Sequence, residues 1–430
     1  MDDSSGPTDA RDDRADADAG LPPNPDDRTN ARGPSRTDEQ DVLGDDGSPL
    51  DGPNGSGEAF DDGAPADDVV AAIGVGAGAL ALIGTAVPYR GGATEPTVAL
   101  GTLLAIVVLA IFFGRRYDRL GRRIGAPIAG GAGLLVVLVA TYGLNQDGLS
   151  TLSVPVIGEV PALLVALLGG AAAIGAASAD YGRLSAVGLR RRALATVGFS
   201  ALGAVGYLAI TAWAIVLIGI AVPLATGTTI DGLAQTDLIV ISQVATVLGV
   251  GSVAVAFLVW TDRDWSFVDL HLPSLRDVGY VVGGFLALYG AAVGVSALLG
   301  ATGTESAGHS TFEAAEENPE ILLVMVVASI LVIGPFEELL YRNVIQKSLY
   351  DYFSRAGAVV VASVPFAIVH FPAYSGGTAG QSLVSLGVVL ALSLILGTIY
   401  ARTENLVVPA LVHGLFNAVV FYSNYVAMTS

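Results

Sequence analysis

A chain of 430 residues that is 52% hydrophobic and only 14% charged is too apolar for a soluble domain, in which about a quarter of residues carry charge. Its mean hydropathy of +0.62 points to a polytopic membrane protein. Cysteine is absent, which excludes disulfides, thiolate metal sites and cysteine catalysis, and a net charge of −19 argues against a nucleic-acid partner.

The chain opens on an acidic tail. Residues 1–68 hold 20 of the 40 acidic residues against five arginines, amid Gly, Pro and Ser. The tail has too few large apolar side chains to offset the entropy of ordering, so it is expected to be disordered. The start MDDSSGPTDA has no apolar region of the kind a cleaved leader needs, and none is expected. Twenty arginines stand against the single Lys347, with Asp in excess. That balance suggests a salt-adapted organism, and we read it as a halophilic archaeon.

Eleven apolar segments follow, near 69–88, 96–114, 126–144, 159–178, 194–223, 237–260, 278–300, 320–346, 356–371, 382–401 and 405–425. A helix needs about 20 apolar residues to cross the hydrocarbon. The expected fold is therefore all-α, a polytopic membrane helix bundle of about 11 spans behind a disordered acidic N-terminal tail. The segment at 194–223 is long enough to tilt, and the one at 356–371 is short enough to be partly re-entrant. Gly74, Gly76 and Gly78 are expected to serve close helix packing.

The basic residues test this count. With the tail in the cytoplasm, 20 of the 21 fall in the tail or on the same side, and only Arg90 falls opposite. This positive-inside bias places the N-terminus in the cytoplasm and the C-terminus outside. The stretch from Ser266 to Leu275, with His271, reads as an interfacial connector.

No Walker A, dinucleotide-binding or HExxH pattern occurs. The chemistry lies instead in three late segments. Ile321 to Phe336 is a sixteen-residue run whose only polar side chain is Ser329, and it ends on Glu337 and Glu338. A carboxylate within such a segment costs about 2.5–3.5 kcal/mol on insertion scales and marks a functional site by default. Glu338 and Arg342 are i,i+4 and share a helix face. That pair fits a structural ion pair as well as a functional one, whereas Glu337 points about 100° away and stays free to face a cavity as a general base. His370 follows Phe366 by one turn, after a kink expected at Pro365. His413 and Asn417 are again i,i+4 in an apolar run, and read either as site residues or as an interhelical hydrogen-bonded pair. His309, in an acidic loop with Glu305, Glu313, Glu316 and Glu317, reads as solvated. At 1.5 Å per residue, Glu337, His370 and His413 reach similar depth, and we expect them to meet near the bilayer middle, opening toward the cytoplasm.

The motifs EELLYR, FAIVH and HGLFN resemble the EExxxR, FxxxH and HxxxN motifs of the CPBP intramembrane protease family. That family includes the CAAX prenyl endopeptidases of the Ras-converting type and bacteriocin-processing proteins, and the chain is also similar to its abortive-infection-like members. The resemblance covers residues 320–420 strongly and 237–425 in outline. It implies an intramembrane protease domain over 237–425, with 69–236 as an N-terminal transmembrane region of about five spans and 1–68 as the tail. It implies a cavity open to the cytosol, with cleavage near the cytoplasmic surface. It also implies that Glu337 and His370 activate water, that His413 and Asn417 stabilise the oxyanion, and that Glu338, Arg342 and Phe366 support them. The implied partners are the lipid bilayer and a membrane-embedded or lipid-anchored protein or peptide substrate. No cofactor is required on the glutamate mechanism. The alternative is zinc held by Glu337, His370 and His413. A non-hydrolytic reading also stands, as a membrane scaffold or a proton-coupled transporter, because proton relays use the same residue types.

Overall fold

The computed structural model describes residues 67–87, 95–146, 149–155 and 158–430. Residues 1–66 of the acidic tail expected to be disordered lie outside the described residues, and its last two, Asp67 and Asp68, open the first helix instead. Arg90, the one basic residue expected on the opposite side, also lies outside the described residues.

Among the described residues, twelve helices carry the fold: α1 (Asp67–Ala86), α2 (Pro96–Arg116), α3 (Arg122–Leu144), α4 (Ala162–Tyr181), α5 (Ala186–Thr226), α6 (Gln235–Trp260), α7 (Leu275–Thr302), α8 (Ser310–Glu317), α9 (Glu320–Leu349), α10 (Arg355–Val369), α11 (Ala379–Thr403) and α12 (Val407–Thr429). A short antiparallel hairpin, β1 (Thr151–Val154) with β2 (Gly158–Pro161), joins α3 to α4. Ten of these helices are long and apolar enough to span a membrane, and α10 is the shorter apolar one. The eleven expected segments each correspond to one of these eleven helices. α8 is an added, amphipathic turn between α7 and α9.

Local sequence sets the ends. Ser185, Ser354 and Thr378 each accept a hydrogen bond from a backbone N–H in the first turn of α5, α10 and α11, the ordinary capping role of a short hydroxyl side chain. Gly303 ends α7 in the left-handed region with φ 62°, which glycine tolerates without a Cβ clash. α9 contains two π-helical stretches, Ser329–Ile333 and Leu339–Gln346, on either side of Glu337. Such bulges concentrate at functional sites.

The first four helices pack on one another as a bundle. Their backbones approach closely at small residues: a Cβ on Gly84 would lie 2.3 Å from Ala166 N, and one on Gly169 would lie 2.4 Å from Ala81 N. Gly74 and Gly78 pack on α2 as expected, whereas Gly76 faces open space. Arg115 and Asp180 form a buried two-pronged ion pair at 2.7 Å that ties α2 to α4. α5 packs instead on α6, α10 and α9. The change of packing partner therefore falls at the 182–185 connection.

Hydrogen bonds staple each end of the bundle. At one end, Arg192 Nε donates to Tyr352 O at 2.7 Å, Lys347 pairs with Asp269 at 2.7 Å, and Arg355 pairs with Glu404. At the other, Asn145 Oδ1 accepts from Glu305 N at 3.1 Å and Gln381 Nε2 donates to Glu305 at 2.8 Å. We call the first the basic face. Among the described residues, the connections at the second carry acids and no lysine or arginine. Trp260, Leu272 and Leu275, all more than 90% exposed, flank the connector at the basic face. That is where large amphipathic and apolar residues anchor a membrane protein.

Candidate active site

Three helices bring the site together, and glycine lets them approach. A Cβ on Gly334 of α9 would lie 2.5 Å from Ala410 O, and one on Gly414 of α12 would lie 2.6 Å from Ser329 O. Backbone-to-backbone contact at this crossing places Glu337 beside His413. α10 then contributes His370 at its C-terminal end.

The geometry is convergent. His370 Nε2 lies 3.7 Å and His413 Nε2 4.0 Å from Glu337 Oε2. Each imidazole is fixed from behind. His370 Nδ1 lies 2.7 Å from the Phe366 carbonyl, which can only accept, so Nδ1 carries the proton. His413 Nδ1 faces Glu338 Oε1 at 3.0 Å, again an acceptor. A neutral imidazole with its proton on Nδ1 presents a lone pair at Nε2. Three acceptor atoms therefore face one another, and Glu337 Oε2 takes no hydrogen bond from the protein. Such a cluster calls for a species with hydrogens or positive charge between them. Asn417, one turn beyond His413, lines the same cavity.

Glu338 is wholly buried. Its second oxygen accepts from Arg342 Nε at 2.8 Å, and both side chains are 0% exposed. It is thus more than the partner of Arg342: it bridges Arg342 to His413. Arg342 also donates to Ser393 Oγ at 3.0 Å and stacks over the Phe366 ring at 4.9 Å. Phe366 therefore does two jobs, holding His370 through its carbonyl and filling the space between Arg342 and both imidazoles with its ring.

The cavity around these groups holds about 690 Å³. Its rim is formed by His309, Ser310, Phe312, Pro372, Ala373 and Tyr374. This corrects the expectation of a cavity that opens on the side of the basic loops. Below Glu337 the bundle is filled: Arg342, Asn343 and Gln346 are fully buried. Asn343 donates to Tyr400, Tyr400 to Asp269 at 2.6 Å, and Lys347 completes the cluster. At the other end α10 stops after 15 residues, about 22 Å at the usual rise. A 3₁₀ turn, Phe371–Tyr374, takes its place and leaves a bowl.

His309 is a second correction. It is half-buried on the rim rather than solvated, with its ring edge-on to Tyr374 at 5.1 Å. Its Nδ1 accepts from Thr311 N at 3.1 Å, so its proton sits on Nε2. Burial, with a smaller contribution from His370, pushes its pKa down to about 4. Nothing in the sequence around His309 signalled this, because its partner Tyr374 is 65 residues away. Ser393 and Gly334 were equally illegible in isolation.

Residues 319–419 match the family model described as Rce1-like, type II CAAX prenyl endopeptidase. Over this segment the chain is similar to the CPBP intramembrane proteases whose motifs it resembles. The match spans all three CPBP motifs and stops within α12. No curated protein and no solved structure matches the chain. With this match and ten membrane-length helices among the described residues, it is a multi-pass membrane protein. Glu, His and His are donor types that suit zinc, and imidazoles braced at Nδ1 are usual for metal ligands. Among the described residues, no three such side chains stand at ligand spacing.

Proposed function

We propose that this protein is an intramembrane endopeptidase in which Glu337 and His370 activate a water that attacks a peptide carbonyl. The observation that carries the reading is the meeting of Glu337 Oε2 with two imidazole lone pairs at 3.7 and 4.0 Å. A water donating to Glu337 and His370 has its third side free to attack. Glu337 takes the proton as the carbon–oxygen bond forms. The carbonyl oxygen becomes negative; Asn417 Nδ2 serves as a donor to it, and His413 joins as a second donor once its Nε2 lone pair takes up a further proton from water in the cavity. Glu338, on the far side of the His413 ring, stabilises the positive charge that such a proton brings, by the logic of an oriented imidazole–carboxylate pair. The C–N bond then breaks, and the proton held by Glu337 passes to the leaving amine.

No step in this scheme needs a metal. If zinc is bound, Glu337, His370 and His413 are the residues that would hold it, and it would supply a Lewis acid and a more acidic water. In either case the substrate is a membrane-embedded or membrane-anchored polypeptide. A proton-coupled transporter, the other reading of these residues, needs a polar path to both faces. The buried Glu338–Arg342 pair and the Asn343–Tyr400 cluster fill the path to the basic face.

The test is cleavage of synthetic single-span peptides by purified protein in detergent, with wild type beside Glu337→Ala, His370→Ala and His413→Ala. Loss in all three is expected. Undiminished cleavage by Glu337→Ala removes the proposal.

A further inference from the structure

The cavity and the charge distribution point to a sidedness that neither carries alone. All described lysines and arginines outside the buried Arg342 lie at the basic face or in the helix turns that border it, from Arg115 through Arg192 to Arg402. The opposite face carries Glu159, Asp231, Glu305, Glu313 and Glu317, with no lysine or arginine among the described residues. A membrane protein keeps its basic connections in the cytoplasm. The catalytic cavity is rimmed by residues of the acidic face, His309 to Phe312 and Pro372 to Tyr374, and by none from the basic-face connections.

We infer that this catalytic cavity opens to the outside of the membrane and takes its substrate from there. The substrate class is then the extracytoplasmic, membrane-proximal segment of an exported or membrane-anchored polypeptide, not a lipidated C-terminus presented by the cytosol. Depth agrees. α10 rises about 22 Å from the basic face in a hydrocarbon layer about 30 Å thick, so His370 lies about 8 Å beneath the outer boundary. A segment that dips into the outer leaflet reaches it. Glu305 and Glu313 flank the rim, and Glu313 packs over Gly376. That rim favours neutral or cationic segments and repels a terminal carboxylate.

The inference rests on the endopeptidase reading for what is cut, but not for the side on which it is cut. The chain has no cysteine, so single thiols report cleanly. Ser310→Cys and Glu317→Cys mark the cavity face, and Arg402→Cys, exposed at the end of α11, marks the basic face. Intact cells expressing each full-length variant are treated with a membrane-impermeant maleimide, before and after permeabilisation. We expect Ser310→Cys and Glu317→Cys to label in intact cells, and Arg402→Cys to label at least about tenfold more after permeabilisation. Labelling of the cavity-face thiols only after permeabilisation, or of Arg402→Cys in intact cells, overturns the inference. Peptide cleavage in detergent has no sidedness, so it fails or succeeds separately.

Discussion

Glu337 and Glu338 are neighbours in the chain, yet they belong to two regions built on opposite terms. Toward the basic face, Glu338 is fully buried and both its oxygens are used, one by Arg342 and one by His413. Toward the acidic face, Glu337 is a quarter exposed, shares a cavity with two imidazoles, and leaves Oε2 without a donor. A buried carboxylate with its charges matched is a structural element that is costly to break. A carboxylate facing acceptors in a cavity has room for a hydrogen-bond donor such as water. In the proposed mechanism the reactive member of the pair is the one with an unsatisfied lone pair, not the more buried one.

Substitutions on the two sides of this boundary sharpen the contrast. Glu337→Gln should lower peptide cleavage by about 10³-fold, within the range of general-base removal, with thermal stability changed by less than about 0.5 kcal/mol. Glu338→Ala should do the reverse in kind: it strands Arg342 without a counter-ion and costs about 3–5 kcal/mol of stability, read as a fall in the unfolding midpoint in detergent. Equal stability losses for the two would erase the distinction. Gly414→Ala adds a methyl 2.6 Å from Ser329 O and should cost about 1–3 kcal/mol, as overpacking does. It should also lower cleavage, because α9 and α12 must separate where Glu337 meets His413. The smallest effect is at the rim. The neutral His309 ring, held at about 4, contributes stability that is complete above the ordinary histidine value near 6.5. It is lost as the pH falls from there toward 4, because the unfolded chain takes the proton first. His370 and Tyr374 are the titratable groups that face it. The fall from 6.5 to about 4 bounds the loss over that window at about 3 kcal/mol, solvent at the half-exposed rim reduces it to about 1 kcal/mol, and it should vanish in His309→Phe when unfolding is followed against pH.

Much of this was legible in the sequence for identifiable reasons. Apolar runs of membrane length have one solution in lipid, a helix, so all eleven segments appear where hydropathy puts them. Glu338 and Arg342 meet because i,i+4 spacing is local geometry. His370 and His413 join Glu337 because polar groups in apolar helices face one another rather than lipid. The direction of the cavity was not legible. It depends on where α10 stops and on what fills the space below Glu337, where Tyr400 and Asp269 come from segments 131 residues apart. His309 escaped for the same reason. Its loop composition reads as solvated, and its burial is conferred by Tyr374 from another helix connection.

The account stands most directly on the origin of the oxygen in the product. A single-span peptide is cleaved under single-turnover conditions in ¹⁸O-labelled water, and the new C-terminus is weighed by mass spectrometry. Direct attack by a water that Glu337 activates places one ¹⁸O in that carboxylate on the first turnover, and Glu337→Gln yields almost no product. A first-turnover product carrying only ¹⁶O, or the same yield from the Glu337 variant, would contradict it.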